Sequence, residues 1–158
     1  MRPRILAVDL GEKRVGLAVS DPLGSFPVGL DTYTRIPVSQ HLDTPWDDVV
    51  AHVVACMERA QASVLVIGLP RNMNGSEGKK AQESRAFAEA FAAAVQTTHP
   101  EWVEHIQFED ERLSSVVAQQ HMHAAGIKPS RNKGRVDQNA AMVLIEAALL
   151  RRQHQANR

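Results

Sequence analysis

The sequence predicts an α/β fold, a mixed central sheet with helices on both faces, from three observations. Apolar runs of strand length recur along the chain, amphipathic helical stretches separate the later ones, and turn residues mark most boundaries. Three strands come first, then helix, strand, helix, strand, helix and helix. Alternation in the second part calls for parallel strands joined by right-handed crossovers.

Arg4–Asp9 is rich in Ile, Leu and Val and reads as a buried strand; Gly11–Arg14 is a turn and Val15–Ser20 the returning strand of a β-hairpin. Pro22, Gly24, Pro27 and Gly29 make the next stretch a loop leading into a short third strand at Val28–Tyr33. Thr44-Pro45 signals a helix start, with Thr44 as N-cap and Pro45 in the first turn. Val49, Val50, Val53, Val54 and Met57 give that helix its apolar stripe, and it should end near Gln61.

Ser63–Leu69 is continuously apolar, as for a central strand buried on both faces, and stops at Pro70. A polar stretch, Arg71–Lys80, precedes a second helix marked by Phe87, Phe91, Ala94 and Val95, and Pro100 closes the unit. Val103–Phe108 reads as a strand nearer an edge, running into Glu109-Asp110-Glu111-Arg112. A third helix fits Ser114–Ala125, followed by a basic loop at Lys128–Arg135. From Val136 a final helix turns Ala140, Ala141, Leu144, Ile145, Ala148 and Leu149 inward. Residues 1–150 are expected to form one domain, with 151–158 as a polar tail.

The bulk numbers exclude several classes. No apolar run is long enough to span a bilayer, so no membrane role is expected. The opening residues lack the pattern of a signal peptide, which makes the cytoplasm the expected location. One cysteine, Cys56, excludes an internal disulfide and sits on a helical apolar stripe as a buried thiol. Net charge is zero, yet residues 111–158 carry +5 and residues 1–110 carry −5. A phosphate backbone could thus be held by local charge in the C-terminal third. Arg151, Arg152 and Arg158 read as a solvated basic tail.

Acidic residues at the ends of buried strands are costly unless paired, hydrogen-bonded or bound to a cation. Asp9 ends the first strand and Asp110-Glu111 the last, while Asp137 opens the final helical pattern. Each has a plain structural reading: Asp9 as a turn carboxylate, Asp137 as an N-cap, Asp110 and Glu111 as solvated surface. Together, three separate segments bring a carboxylate to one sheet edge. That set suits two hard divalent ions about 3.5–4 Å apart on a scissile phosphate, with Asp9 between them. His121 and His123, two residues apart, fall on different sides of a helix and read as surface rather than a zinc site.

Four blocks, DLGEKRVGLAVSD at 9–21, VIGLPRNMNGSEG at 66–78, DERLSS at 110–115 and NKGRVDQNAA at 132–141, resemble the YqgF (RuvX) family in the family's own order. That family comprises Holliday-junction resolvase-like proteins and pre-16S rRNA nucleases. The resemblance spans nearly the whole chain. It implies an RNase H-like fold, use of Mg²⁺ or Mn²⁺, and Asp9, Glu111 and Asp137 as an acidic triad, with Asp110 as the competing second ligand. Related RuvC resolvases carry their second acid at the end of the preceding strand, which here ends Leu69-Pro70. The second acid must therefore come from the Glu111 region or from Glu77 in the polar loop.

Lys13 and Arg14 lie on the turn after Asp9, and Arg112, Lys133 and Arg135 flank the other acids, where they could neutralise phosphates. Asn72 and Asn74 could donate to phosphate or sugar, or simply form a turn. Few aromatics are available for stacking, so binding should depend on backbone and shape. No organic cofactor is expected. The expected activity is metal-dependent hydrolysis of structured nucleic acid, foremost maturation of the 5′ end of 16S rRNA from its precursor. The alternative is resolution of Holliday junctions, branched DNA whose two cuts imply a homodimer. Two further classes are an actin- or sugar-kinase-like phosphotransferase, which would need a second lobe, and a non-catalytic RNA-binding factor.

Overall fold

The computed structural model describes residues 2–37, 44–111 and 133–157, without the side chains of 133–138. Strands β1 (Arg4–Leu10), β2 (Arg14–Ser20) and β3 (Pro27–Thr34) form an antiparallel meander. They are followed by α1 (Asp47–Ala60), β4 (Ala62–Leu69), α2 (Lys79–Val95), a short α3 (Pro100–Glu104), β5 (Ile106–Asp110) and α4 (Lys133–Ala156). The strand order is β3-β2-β1-β4-β5, with β4 parallel to both β1 and β5. β4 is central because its run of apolar residues can be buried on both faces, and β5 lies at an edge, as its sparser apolar pattern predicts.

Strand alternation sorts the apolar side chains into two cores. Leu6 and Val8 of β1 and Leu65 and Ile67 of β4 pack with Val49, Val53 and Met57 of α1 and Phe87 and Phe91 of α2. Ile5 and Ala7, with Val64 and Val66, point the other way against Ala141, Leu144, Ile145 and Ala148 of α4. Each fully buried Leu or Ile contributes about 1.5–3 kcal/mol, so the two layers hold the sheet from both sides. Among the described residues, no helix is long and apolar enough to cross a membrane.

Several boundaries depart from expectation. Thr44 accepts the Trp46 N–H at 3.1 Å and pairs with Asp47 through its own N–H and hydroxyl, so it braces a turn and α1 proper starts at Asp47, beyond Pro45. Pro100 begins α3 instead of only closing the preceding unit, since its fixed φ suits a first helical position. α4 starts at Lys133, which takes Lys133–Arg135 out of the expected loop and places Asp137 within the helix instead of at its cap. It runs on to Ala156, so residues 151–156 continue the helix. The helix expected at Ser114–Ala125, with His121 and His123, lies outside the described residues.

α4 packs on one face of the sheet, chiefly over β2, β3 and β1. Its end is tied to the start of β1 by Arg152, whose Nη1 donates to the Pro3 carbonyl at 3.0 Å.

Candidate active site

Asp9 continues the Ile5–Ala7 row of β1 and so lies on the face covered by α4. The parallel register pairs Ala7 with Val66 and Val8 with Ile67, and its next step sets Asp9 beside Gly68 of β4. Gly68 is in turn paired with Glu109 of β5. Because Gly68 has no side chain, Glu111, just past β5, can fold back across it. A Cβ added at Gly68 would lie 2.7 Å from Glu111 Cδ and collide with Oε1. The partly buried Glu111 carboxyl then reaches Asp9 and is hydrogen-bonded to it.

Two carboxylates in that position cannot both ionise cheaply. Glu111 is pushed up to about 10, first by burial, then by its hydrogen bond to Asp9 and the Asp9 charge, with Asp110 adding to the rise. Lys80, near the start of α2, opposes it. The two carboxyls accordingly keep one proton between them at neutral pH. A divalent cation could take the place of that proton, and all the donors are hard oxygens of the kind that Mg²⁺ and Mn²⁺ prefer. Among the described residues no third His, Cys, Asp or Glu completes a metal-binding group.

Asp137 lies on α4, the helix that covers the face of the sheet carrying Asp9. Lys133 and Arg135 occupy the first turn of that helix. Arg112 lies outside the described residues.

The remaining polar candidates divide clearly. Lys13 stands on the turn after β1 and Arg14 opens β2; Gly11 is required in that turn because a Cβ would strike the Arg14 carbonyl. Asn72 Nδ2 donates to Ser76 Oγ at 3.0 Å, and Asn74 Oδ1 accepts from both the N–H and the hydroxyl of Ser76, so both asparagines shape a turn. Glu77 makes a two-pronged ion pair with Arg85 at 2.6 and 2.7 Å, which holds its carboxyl below the usual range. It is directed to α2 rather than to Asp9. Sequence reasoning did not single out Gly68 or Lys80. Gly68 had a signal, a glycine interrupting a β-branched run, which marks close approach; Lys80 had none.

The family model described as RuvX, Holliday junction resolvase, matches residues 3–151. A protein of Trichormus variabilis named "Putative pre-16S rRNA nuclease" is 35% identical over 141 residues, 89% of this chain and 83% of its own. Proteins of the same name from Chloroflexus aurantiacus (32%, 98% of this chain and 91% of its own) and Kineococcus radiotolerans (38%, 94% and 73%) are similar. Among solved structures, Thermus thermophilus RuvC superposes with a TM-score of 0.58 at 14% identity over 96% of each chain. The same protein in complex with a Holliday junction substrate gives 0.56 at 13%, again over 96% of each. The fold is therefore the RNase H-like α/β fold of RuvC. With matching sequence over most of its length and the fold to go with it, the chain belongs to the RuvX (YqgF) family.

Proposed function

We propose that this protein is a divalent-metal-dependent nuclease that hydrolyses phosphodiester bonds in structured RNA, its substrate being the precursor of 16S rRNA. The observation that carries this reading is the Asp9–Glu111 carboxyl pair, held across the bare backbone of Gly68 at the C-terminal edge of parallel strands. Such edges are where ligands gather in open α/β sheets. The names of the relatives supply the RNA substrate.

Asp9 and Glu111 would hold the ion, with Asp137 of α4 as the third acid. When bound, Mg²⁺ or Mn²⁺ supplies Lewis-acid polarisation of the phosphate and activation of water at neutral pH. Gly68 keeps Glu111 in place, and the β1–β2 turn fixes Asp9. Lys80 offsets negative charge beside the pair, which favours approach of a phosphodiester. Lys13, Arg14, Lys133, Arg135 and Arg112 would neutralise phosphates farther along the strand.

The decisive experiment offers purified protein a precursor-rRNA fragment and a four-way DNA junction, with Mg²⁺ or Mn²⁺, and maps the product ends. Cleavage of the RNA, abolished by chelation and by Asp9→Asn or Asp137→Asn with binding retained, supports the reading. Symmetric paired nicks in the junction with intact RNA would replace it by the second one, a Holliday-junction resolvase acting as a homodimer. The family model's own description favours that second reading. Cleavage unchanged in Asp9→Asn would remove the metal site altogether.

A further inference from the structure

A groove opens at the sheet edge that carries the proposed catalytic pair, on the α1–α2 side, and apart from Lys13 its residues have no part in the nuclease reading. One part, about 540 Å³, is walled by Glu12, Arg35, Trp46, Lys79, Gln82 and Glu83. A second part, about 370 Å³, shares Glu12 and Arg35 and is flanked by Lys13 and Thr34. Both are linked along the chain to the residues of the carboxyl pair. Glu12 is three residues past Asp9, within about 11 Å of chain, and Lys79 precedes the Lys80 whose charge acts on Glu111. At about 3.4 Å per stacked nucleotide, that distance is roughly three nucleotides.

Arg35 is built into this groove rather than dangling over it. Its backbone N–H donates to the Lys13 carbonyl at 2.8 Å. Nη2 donates to the Pro45 carbonyl at 2.7 Å and Nη1 to the Gly11 carbonyl at 3.4 Å. The guanidinium lies 4.7 Å from the centre of the Trp46 ring. Its Nε is buried with no hydrogen-bond partner among the described residues. A fixed cation in a groove is a phosphate site at little ordering cost, whereas a free surface arginine must give up its rotamers to bind.

The groove is not uniformly basic, and that feature selects the ligand. Lys79 stands 4.0 Å from Glu83, and Glu12 faces both parts. A carboxylate only accepts hydrogen bonds, so it repels phosphate and has nothing to gain from deoxyribose. A ribose 2′-hydroxyl, in contrast, is a donor that recurs once per nucleotide between the phosphates. We propose that this groove holds an RNA strand flanking the scissile bond, with Arg35, Lys79 and Lys13 on phosphates and Glu12 accepting a 2′-hydroxyl. This deepens the nuclease reading and rests on it for the placement of the scissile bond. It makes Glu12 a residue that discriminates RNA from DNA.

The test measures binding in EDTA, where the ion is withheld and no cleavage interferes. Fluorescent single-stranded RNA and DNA 12-mers of one sequence are titrated with the full chain at several salt concentrations. The wild type should bind RNA about tenfold more tightly. Glu12→Ala should weaken RNA binding and strengthen DNA binding until the two agree within about twofold, a crossing that general unfolding does not produce. Lys79→Ala, an exposed site, should weaken both and reduce the salt slope by about 0.7, the loss of one phosphate contact. Equal affinities in the wild type, or an RNA preference unchanged in Glu12→Ala, would overturn the proposal. A 2′-hydroxyl preference in a protein that yields no products with Mn²⁺ would sink the nuclease reading alone; products without the preference would sink the groove alone.

Discussion

Glu111 meets Asp9 by crossing the backbone of Gly68, on which a Cβ would collide with the Glu111 carboxyl. Three strands are thereby tied into one site: β1 supplies Asp9, β4 supplies the gap and β5 delivers Glu111. Gly68→Ala should displace Glu111 and lower metal-dependent cleavage by about 100-fold or more, while circular dichroism shows the fold retained. The size follows from the sensitivity of positioned groups to shifts of about 1 Å. Full activity in this variant would show that Glu111 is not held where catalysis needs it.

The same pair makes the metal-free protein sensitive to pH. The folded-state value of Glu111, about 10, lies above the ordinary 4.5, so between these values the folded chain keeps a proton that the unfolded chain releases. Stability therefore falls as pH rises through that window. Glu111→Gln removes the titration, and in EDTA at pH 8 it should be more stable than the wild type, on the order of 1–3 kcal/mol. Added Mn²⁺ should raise the melting temperature of the wild type and not that of Glu111→Gln. A wild type whose stability in EDTA is flat from pH 5 to 9 would contradict the shared proton.

Asp21 behaves in the opposite way. Its carboxylate accepts the N–H groups of Phe26, Ser25 and Leu23 at 2.7, 2.6 and 3.1 Å, closing the β2–β3 loop around Gly24. These bonds favour the ionised form, so its value is depressed below 3.8. The stability it contributes is complete above pH 3.8 and is lost as pH falls through the lower, folded value. Asp21→Ala should be destabilised at pH 7, with the difference from wild type shrinking in acid. Urea titrations at pH 7 and pH 3 check this; a difference that persists undiminished in acid would refute it.

Gln61 ends α1 in the left-handed region, with φ 56° and ψ 38°, while its N–H bonds to the Glu58 carbonyl. Glycine adopts that conformation without the Cβ conflict and keeps the backbone bond. Gln61→Gly should stabilise the protein by about 1 kcal/mol, roughly 3 °C in melting temperature. A lower melting temperature would mean that the exposed glutamine side chain contributes more than the strain costs.

Much of the architecture was legible because local physics repeats it many times. The apolar run of β4 announces a central strand, the β1–β2 hairpin has its turn at Gly11, and the α4 stripe from Ala141 to Leu149 matches the buried face that the structure shows. Asp9 and Glu111 could be marked as acids at strand ends. The structure differs at Pro100 and Lys133 because proline and a basic, glycine-containing stretch enter helices as readily as they interrupt them.

By itself the sequence determined the α/β class, the order of the five strands and of α1, α2 and α4 among them, their buried faces and the residue types available for chemistry, since these follow from periodicity and turn propensity. Through the four matched blocks it also determined the family. Only the tertiary structure decided that Glu111 is the acid hydrogen-bonded to Asp9, that Glu77 is tied to Arg85, that Gly68 makes room and that Arg35 is clamped beside the site. Those relations join residues up to about a hundred positions apart, and strand register and side-chain packing set them; no local pattern of residues encodes such distances.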